Sequence, residues 1–329
     1  MSALRKLSPS TTGSFEVPCY PDFVPLDLRL KDILHPRLSL TSDGVSEFTF
    51  SGLYLFRNKY KYRISRDSSS GGTDGGFIIS GENAGKTFFM TPCLAPNQEI
   101  LKDLFNTHDY WKNVPESVLS PVREKLQESG IVFEEDRDNF DYLYYRKDLA
   151  ELAGKKYHKK KNHVKNFLNS YPEHEQRPMS TETVPAAVEI LDRWRKDKSL
   201  QSQGEDGDYK AAKEALDLFA SLPLRGTVFF VGGKPAAYCL GESMARGKMF
   251  AIHFEKAIDE YKGIYQFVNQ AFAAYLPGFF SLINREQDLG NEGLRQAKMT
   301  YRPCGFVKKY KAQLVSKFDI LKQPQSTGE

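Results

Sequence analysis

After residue 183 the apolar residues change period in a fixed succession, and that succession admits few folds. Val184, Ala187, Ile190, Leu191 and Trp194 fall at helical spacing, and 209–222 reads as a second helix. Three strand-like runs follow at 227–231, 236–240 and 249–254. The first two are joined by Gly232-Gly233, a pair suited to a tight hairpin turn. Ile264, Phe267, Val268, Ala271, Phe272 and Tyr275 then mark the apolar stripe of one helix, and Pro277-Gly278 stops it. A buried strand at 279–283, a short basic helix at 294–298 and a strand from Phe306 complete this half.

Helix, helix, three antiparallel strands, helix, strand, helix, strand is the element order of an N-acetyltransferase (GNAT-type) domain. The first half has a similar outline. Residues 46–57 read as a helix with Phe48, Leu53 and Phe56 inward. Strands follow at 60–65, 76–80 and 87–90, helices at 96–106 and 115–129, and short strands at 131–133 and 142–146. The repeated order predicts an α+β chain of two tandem GNAT-like (acyl-CoA N-acyltransferase-like) domains, each a mixed, mostly antiparallel sheet flanked by helices. The polar stretch SYPEHEQRP, with two prolines, marks the boundary. The expected division is a disordered leader at 1–22, an N-terminal domain at 23–170 and a C-terminal domain at 171–325.

At 329 residues the chain is long enough for two such domains. Its 40% hydrophobic and 27% charged residues are those of a soluble globular protein. No apolar run is long enough for a bilayer span, and the N-terminus lacks the apolar core of a secretion signal. Cys19, Cys93, Cys239 and Cys304 are widely spaced, which predicts neither a zinc site nor a disulfide framework and fits a reducing, cytoplasmic setting. Cys239 and Cys304 are expected in or near the core. The net charge of +4 is modest, yet six lysines and two histidines fall between Lys155 and Lys165. Positive charge is therefore focused on one segment, expected to be a helix starting near Asp148.

SGENAGKT, residues 80–87, looks like a phosphate-binding loop, but the glycine spacing is one residue short and strands flank it on both sides, so a hairpin turn is expected. His158 and His163 are five apart, the wrong spacing for a metal face, and no metal is assigned. His253 sits in a strand and reads as structural. Glu255, at the end of that strand, borders the cleft of an acetyltransferase-like domain and could take a proton from an attacking amine. Acetyltransferases place a glycine-rich loop before the helix that starts here at Ile264, where backbone amides hold the coenzyme A pyrophosphate. This chain offers only Gly263, with Asp259 and Glu260 upstream. Their charges oppose a pyrophosphate. Asn284 to Asp288 form a polar turn directly after a strand, where α/β proteins commonly place chemistry.

DYLYYRKDLAELAGKKYHKKKNHVKNF (141–167), INREQDLGNEGLRQAKMTYRPCGFVKKY (283–310) and SEFTFSGLYLFRNKYKYRIS (46–65) resemble members of the phosphatidylglycerol lysyltransferase C-terminal domain family that lack a membrane portion. The similarity runs from about Phe23 to Leu321. It implies a tandem pair of acetyltransferase-like domains related to the Fem-type aminoacyltransferases, and transfer of an amino acid from aminoacyl-tRNA to a lipid, peptide or small-molecule acceptor without a bound cofactor. The lipid-modifying members carry a many-helix membrane portion that this sequence lacks, so a soluble or peripheral acceptor at a membrane surface is the alternative. With that reading, Lys298 and Arg295 are expected to stabilise an oxyanion or the terminal phosphate, Glu286 or Glu255 to hold the amino group or act as base, and Tyr301 to donate a hydrogen bond. Asn284 is expected to bind substrate, and Lys155, Lys156, Lys159, Lys160 and Lys161 to steer the tRNA. An acyl-CoA-dependent N-acyltransferase and a non-catalytic nucleic-acid or partner-binding protein are the competing readings.

Overall fold

A computed structural model describes residues 16–67, 76–92, 94–199 and 206–314. Along the first part run β1 (Val24–Pro25), α1 (Lys31–Leu38), α2 (Phe50–Tyr60), β2 (Arg63–Arg66), β3 (Phe77–Asn83), β4 (Lys86–Met90), α3 (Gln98–Thr107), β5 (Tyr110–Pro115), α4 (Glu116–Leu119), α5 (Arg123–Glu128) and β6 (Ile131–Glu135). Then come β7 (Asp141–Tyr145), α6 (Arg146–Glu151), α7 (His158–Ser170), β8 (His174–Pro178), α8 (Val184–Ser199), α9 (Asp206–Asp217), β9 (Leu224–Val231), β10 (Lys234–Met244) and β11 (Met249–Ala257). The chain continues through α10 (Ile264–Tyr275), β12 (Leu282–Asn284), α11 (Glu292–Met299), β13 (Gly305–Val307) and β14 (Lys309–Leu314).

Among the described residues these strands make two seven-stranded, mostly antiparallel sheets, ordered β1-β2-β3-β4-β5-β14-β6 and β13-β7-β12-β11-β10-β9-β8. Each sheet contains one parallel pair, β4 with β5 and β11 with β12, at the same place in the repeated order. The architecture is thus the tandem acetyltransferase-like pair expected from the sequence. The sheets also exchange strands. β7 precedes residue 170 yet lies in the second sheet, and β14 lies at the far end of the chain yet completes the first. A cut near residue 170 therefore does not separate one sheet from the other.

Several local expectations change. Residues 16–22, counted with the leader, are described: Val17 is buried and the Tyr20 hydroxyl donates to Asp103 at 2.5 Å. Residues 1–15, Cys93 and residues 315–325 lie outside the described residues. The polar stretch read as a linker supplies β8, which pairs with β9. β5 was not foreseen, because Lys112 and Asn113 break its apolar pattern although every residue of it is buried. The 115–129 helix is two short helices, and the 279–283 strand is only Leu282–Asn284, with Phe279 exposed. Cys304 is exposed and Cys239 is buried. The SGENAGKT segment is the β3–β4 hairpin, turning through Ala84 and Gly85 at positive φ.

One apolar core is shared by both halves. Phe48, Leu53 and Ile64 pack with Ile190, Leu191, Tyr238 and Phe254, so α8 and α9 are buried between the first half and one face of the second sheet. The opposite face of that sheet is covered by α10, α7 and α6 through Phe167, Phe267, Val268 and Phe272. No helix among the described residues is long and apolar enough to cross a membrane.

Candidate functional site

The second sheet opens where its parallel pair ends. β11 and β12 pair only at Met249–Leu282, Phe250–Ile283 and Ala251–Asn284. Beyond that point β11 runs on to Ala257, while the chain after Asn284 turns away. On its other side β11 carries a bulge. Leu240 pairs with Phe254 and Gly241 with Ile252, which leaves His253 as the extra residue. A bulge bends its strand and re-aims a side chain. Here it aims His253 into the gap.

Ion pairs bridge the divergence. His253 Nδ1 lies 2.7 Å from Glu286 Oε1, and its Nε2 lies 3.8 Å from Glu242 Oε2. Glu242, buried on β10, also accepts the Ser51 amide at 3.0 Å and faces His35 of α1 at 3.1 Å. This chain of polar contacts joins the two halves. Burial alone would pull the His253 pKa down, but its bonds to Glu242 and Glu286 outweigh that and lift it to about 9. Burial opposes ionisation of Glu242, yet His253 and His35 hold its pKa down to about 2. A second bridge joins Arg285 to Glu255 at 3.2 Å. Burial opposes the Arg285 charge, and Glu255 more than restores it, raising the guanidinium pKa.

The polar turn is held from below. Lys298, on α11, donates its ammonium to the carbonyls of Arg285 at 2.7 Å, Glu286 at 3.1 Å and Gln287. Burial, and then the nearby Arg285 charge, lower its pKa to about 8. Asn284 donates to the Gly44 carbonyl at 2.8 Å and accepts the Glu286 amide at 2.7 Å, so it braces the turn against the first half. Arg295 binds Asp288 at 2.8 Å and Asp138 at 2.7 Å. Lys298, Arg295 and Asn284, expected as groups that meet substrate, are thus committed to the turn that presents Arg285 and Glu286. Glu255 and Tyr301 do come together through Arg285, while the Glu286 side chain turns to His253. Arg285 and Glu242 were not singled out from the sequence. The signal for Glu242 was a charged residue inside an apolar strand; Arg285 sat in the polar turn, with nothing local to pair it with Glu255.

The basic segment is not one helix. Leu152 and Gly154 take positive φ, residues 155–157 form a 3-10 turn, and α7 begins at His158. Lys156 pairs with Asp148 at 2.8 Å. Lys155, Lys159 and Lys161 are exposed. Lys160 turns inward, its ammonium 4.1 Å from the centre of the Tyr301 ring.

α7 also covers the first turn of α10. Phe167 stacks on Phe267 with ring centres 4.4 Å apart. Gly263 caps α10 at φ +86°, and a Cβ there would stand 2.7 Å from the His163 carbonyl oxygen. The place where an acetyltransferase holds a pyrophosphate is filled by another helix. Gly263→Ala is expected to destabilise the protein by about 1–3 kcal/mol through backbone strain and to part α7 from α10. Chemical denaturation of the variant measures it, and unchanged stability would show that the two helices are not in firm contact.

Residues 39–313 match the family described as phosphatidylglycerol lysyltransferase, C-terminal. An uncharacterised protein of Mycoplasmoides gallisepticum is 24% identical over 178 residues, which is 53% of this chain and 56% of that protein. The chain thus spans about half the length of this curated relative. A conserved protein of unknown function from Bacteroides thetaiotaomicron superposes with a TM-score of 0.80 at 28% identity, over 89% of this chain and 99% of that one. The L-PGS structure from Bacillus licheniformis superposes with a TM-score of 0.57 at 14% identity, over 93% of this chain and 96% of that one. With the family match spanning most of the chain and the fold agreeing, this protein belongs to the phosphatidylglycerol lysyltransferase C-terminal domain family.

Proposed function

We propose that this chain is an aminoacyltransferase that takes its amino acid from aminoacyl-tRNA. The observation that carries this reading is the position of α7. The helix fills the site a coenzyme A pyrophosphate would need, it brings Lys160 to the opening between β11 and β12, and further lysines of the same segment are exposed to solvent. A nucleic-acid donor can be held by such lysines through its backbone, and its ester is already activated, so positioning and charge stabilisation suffice. The acceptor's nucleophilic oxygen or nitrogen attacks the ester carbonyl. The bond from that carbonyl to the terminal ribose oxygen breaks, the ribose hydroxyl regains a proton, and the acceptor's proton is taken up by a carboxylate at the site. Glu255 and Glu286 are the carboxylates there, each set by a cation: Arg285 for the first, His253 for the second. Lys298 acts through the turn as a positioning residue.

Binding of total charged tRNA at two salt concentrations, beside a coenzyme A titration, tests the donor. Salt-sensitive tRNA binding without coenzyme A binding is expected; saturable coenzyme A binding without tRNA binding would reverse the reading in favour of an acyl-CoA donor. Lys298→Met should lower transfer by about tenfold or more, since a misplacement of about 1 Å at a reacting centre costs on the order of 10²-fold. The loss should fall on kcat more than on KM. Unchanged transfer would remove Lys298 from the machinery.

A further inference from the structure

Three hydrogen-bond donor groups meet at the opening, and Glu255 is the one carboxylate beside them among the described residues. The Lys160 ammonium stands over the Tyr301 ring and has no carboxylate partner among the described residues. Arg285 reaches Glu255 only through Nη2, so its Nε and Nη1 find no carboxylate or carbonyl there. Its guanidinium carbon lies 5.1 Å from the centre of the same ring. The Tyr301 hydroxyl has Arg285 as its hydrogen-bond partner, accepting from the guanidinium, and stays protonated because burial pushes its pKa up to about 12. Glu255 neutralises one of the two cations, and the other is left over. Burial and the Arg285 charge together lower the Lys160 pKa, as expected of a half-buried cation beside another cation.

We propose that Lys160, Arg285 and Tyr301 form a subsite for a phosphate ester. A desolvated cluster of donors with surplus positive charge is stabilised by an anion that accepts from all of them. The donors come from three separate segments: α7, the turn after β12 and the segment that follows α11. A tetrahedral group with several oxygens can answer all three, whereas a carboxylate offers only two oxygens in one plane. The source of the phosphate rests on the proposed function, under which it is the terminal phosphodiester of the RNA donor; the subsite itself does not depend on that reading.

The test is calorimetric titration of the full chain with inorganic phosphate, with glycerol 3-phosphate and with the trinucleotide CCA. It compares the unaltered protein with Lys160→Gln, Tyr301→Phe and, as a control one residue away on the exposed face, Lys159→Gln. Matching thermal melts establish that the variants fold. Saturable phosphate binding is expected, weakened about tenfold or more by Lys160→Gln and by less than about twofold in Lys159→Gln. Tyr301→Phe should weaken it by several fold. Displacement of phosphate by the trinucleotide assigns the subsite to the RNA donor. Displacement by glycerol 3-phosphate but not by the trinucleotide keeps the subsite and sinks the aminoacyl-tRNA reading. No saturable phosphate binding, or equal losses in Lys160→Gln and Lys159→Gln, would overturn the proposal.

Discussion

His253→Gln is expected to destabilise the protein by about 3–5 kcal/mol, the usual cost of breaking a buried ion pair from one side. Glutamine keeps the size and one hydrogen bond but not the charge. Glu242 is then left buried with the His35 imidazole and the Ser51 amide as its remaining partners. The same substitution should change the pH dependence. The His253 pKa is raised from 6.5 to about 9 in the folded protein. A raised histidine pKa stabilises the fold fully below the unfolded value and loses that contribution as pH rises through the folded one. The window is therefore from about pH 6.5 to about pH 9, and the contribution lost across it is on the order of 3 kcal/mol. Urea denaturation at pH 6, 7.5 and 9 reads this directly. The unaltered protein should lose more stability across the series than the variant. Parallel curves would mean that His253 is not the titrating group and that the bulge serves backbone geometry alone.

The bulge also shows where the sequence stops being legible. The helix at 264–275 was plain, because its apolar stripe and its stop signal are local. So was the hairpin at Gly232-Gly233. The register slip at Leu240–Gly241 was not, since an extra residue in a strand leaves no periodic trace across a single turn of alternation. His253 was read as structural, and its two carboxylate partners lie on other strands and turns. Arg285 and Glu286 lie in the polar turn at 284–288, Tyr301 in the 283–310 motif and Glu255 at the end of an earlier strand, but which of these groups face the opening depends on tertiary placement. Lys298 was expected to be catalytic, and its ammonium lies on the carbonyls of Arg285 and Gln287, a contact that no local pattern announces. The strand exchange was hidden for a different reason. The segment from Phe306 reads as one continuous strand, yet β13 serves the second sheet and β14 the first, with Lys308 between them.

That crossing supports the second large effect. Lys309 is the first residue of β14 and fully buried, bonded to Asp141 at 2.9 Å and to Glu47. Burial opposes its charge, and the two carboxylates outweigh burial and raise its pKa. Asp141, equally buried on β7, also accepts from the Ser46 amide at 2.8 Å and from Gln287 at 2.6 Å. The cluster therefore ties the exchanged strands β7 and β14 to the first half and to the residue next to Glu286. Lys309→Met should cost about 3–5 kcal/mol, because a buried ion pair is broken from one side. Adding Asp141→Asn should recover part of that loss, since the double variant no longer buries an unpaired charge; a coupling of about 0.5–3 kcal/mol between the two sites is expected. Denaturant titration of the two single variants and the double variant measures it. Strict additivity would mean that Glu47 alone compensates Lys309. The pairing across the exchanged strands would then not be what fixes the turn at Glu286, and transfer by Lys309→Met, assayed where the variant is fully folded, should be unchanged. With coupling present, the same assay should show transfer reduced, because the residue next to Glu286 has lost its anchor.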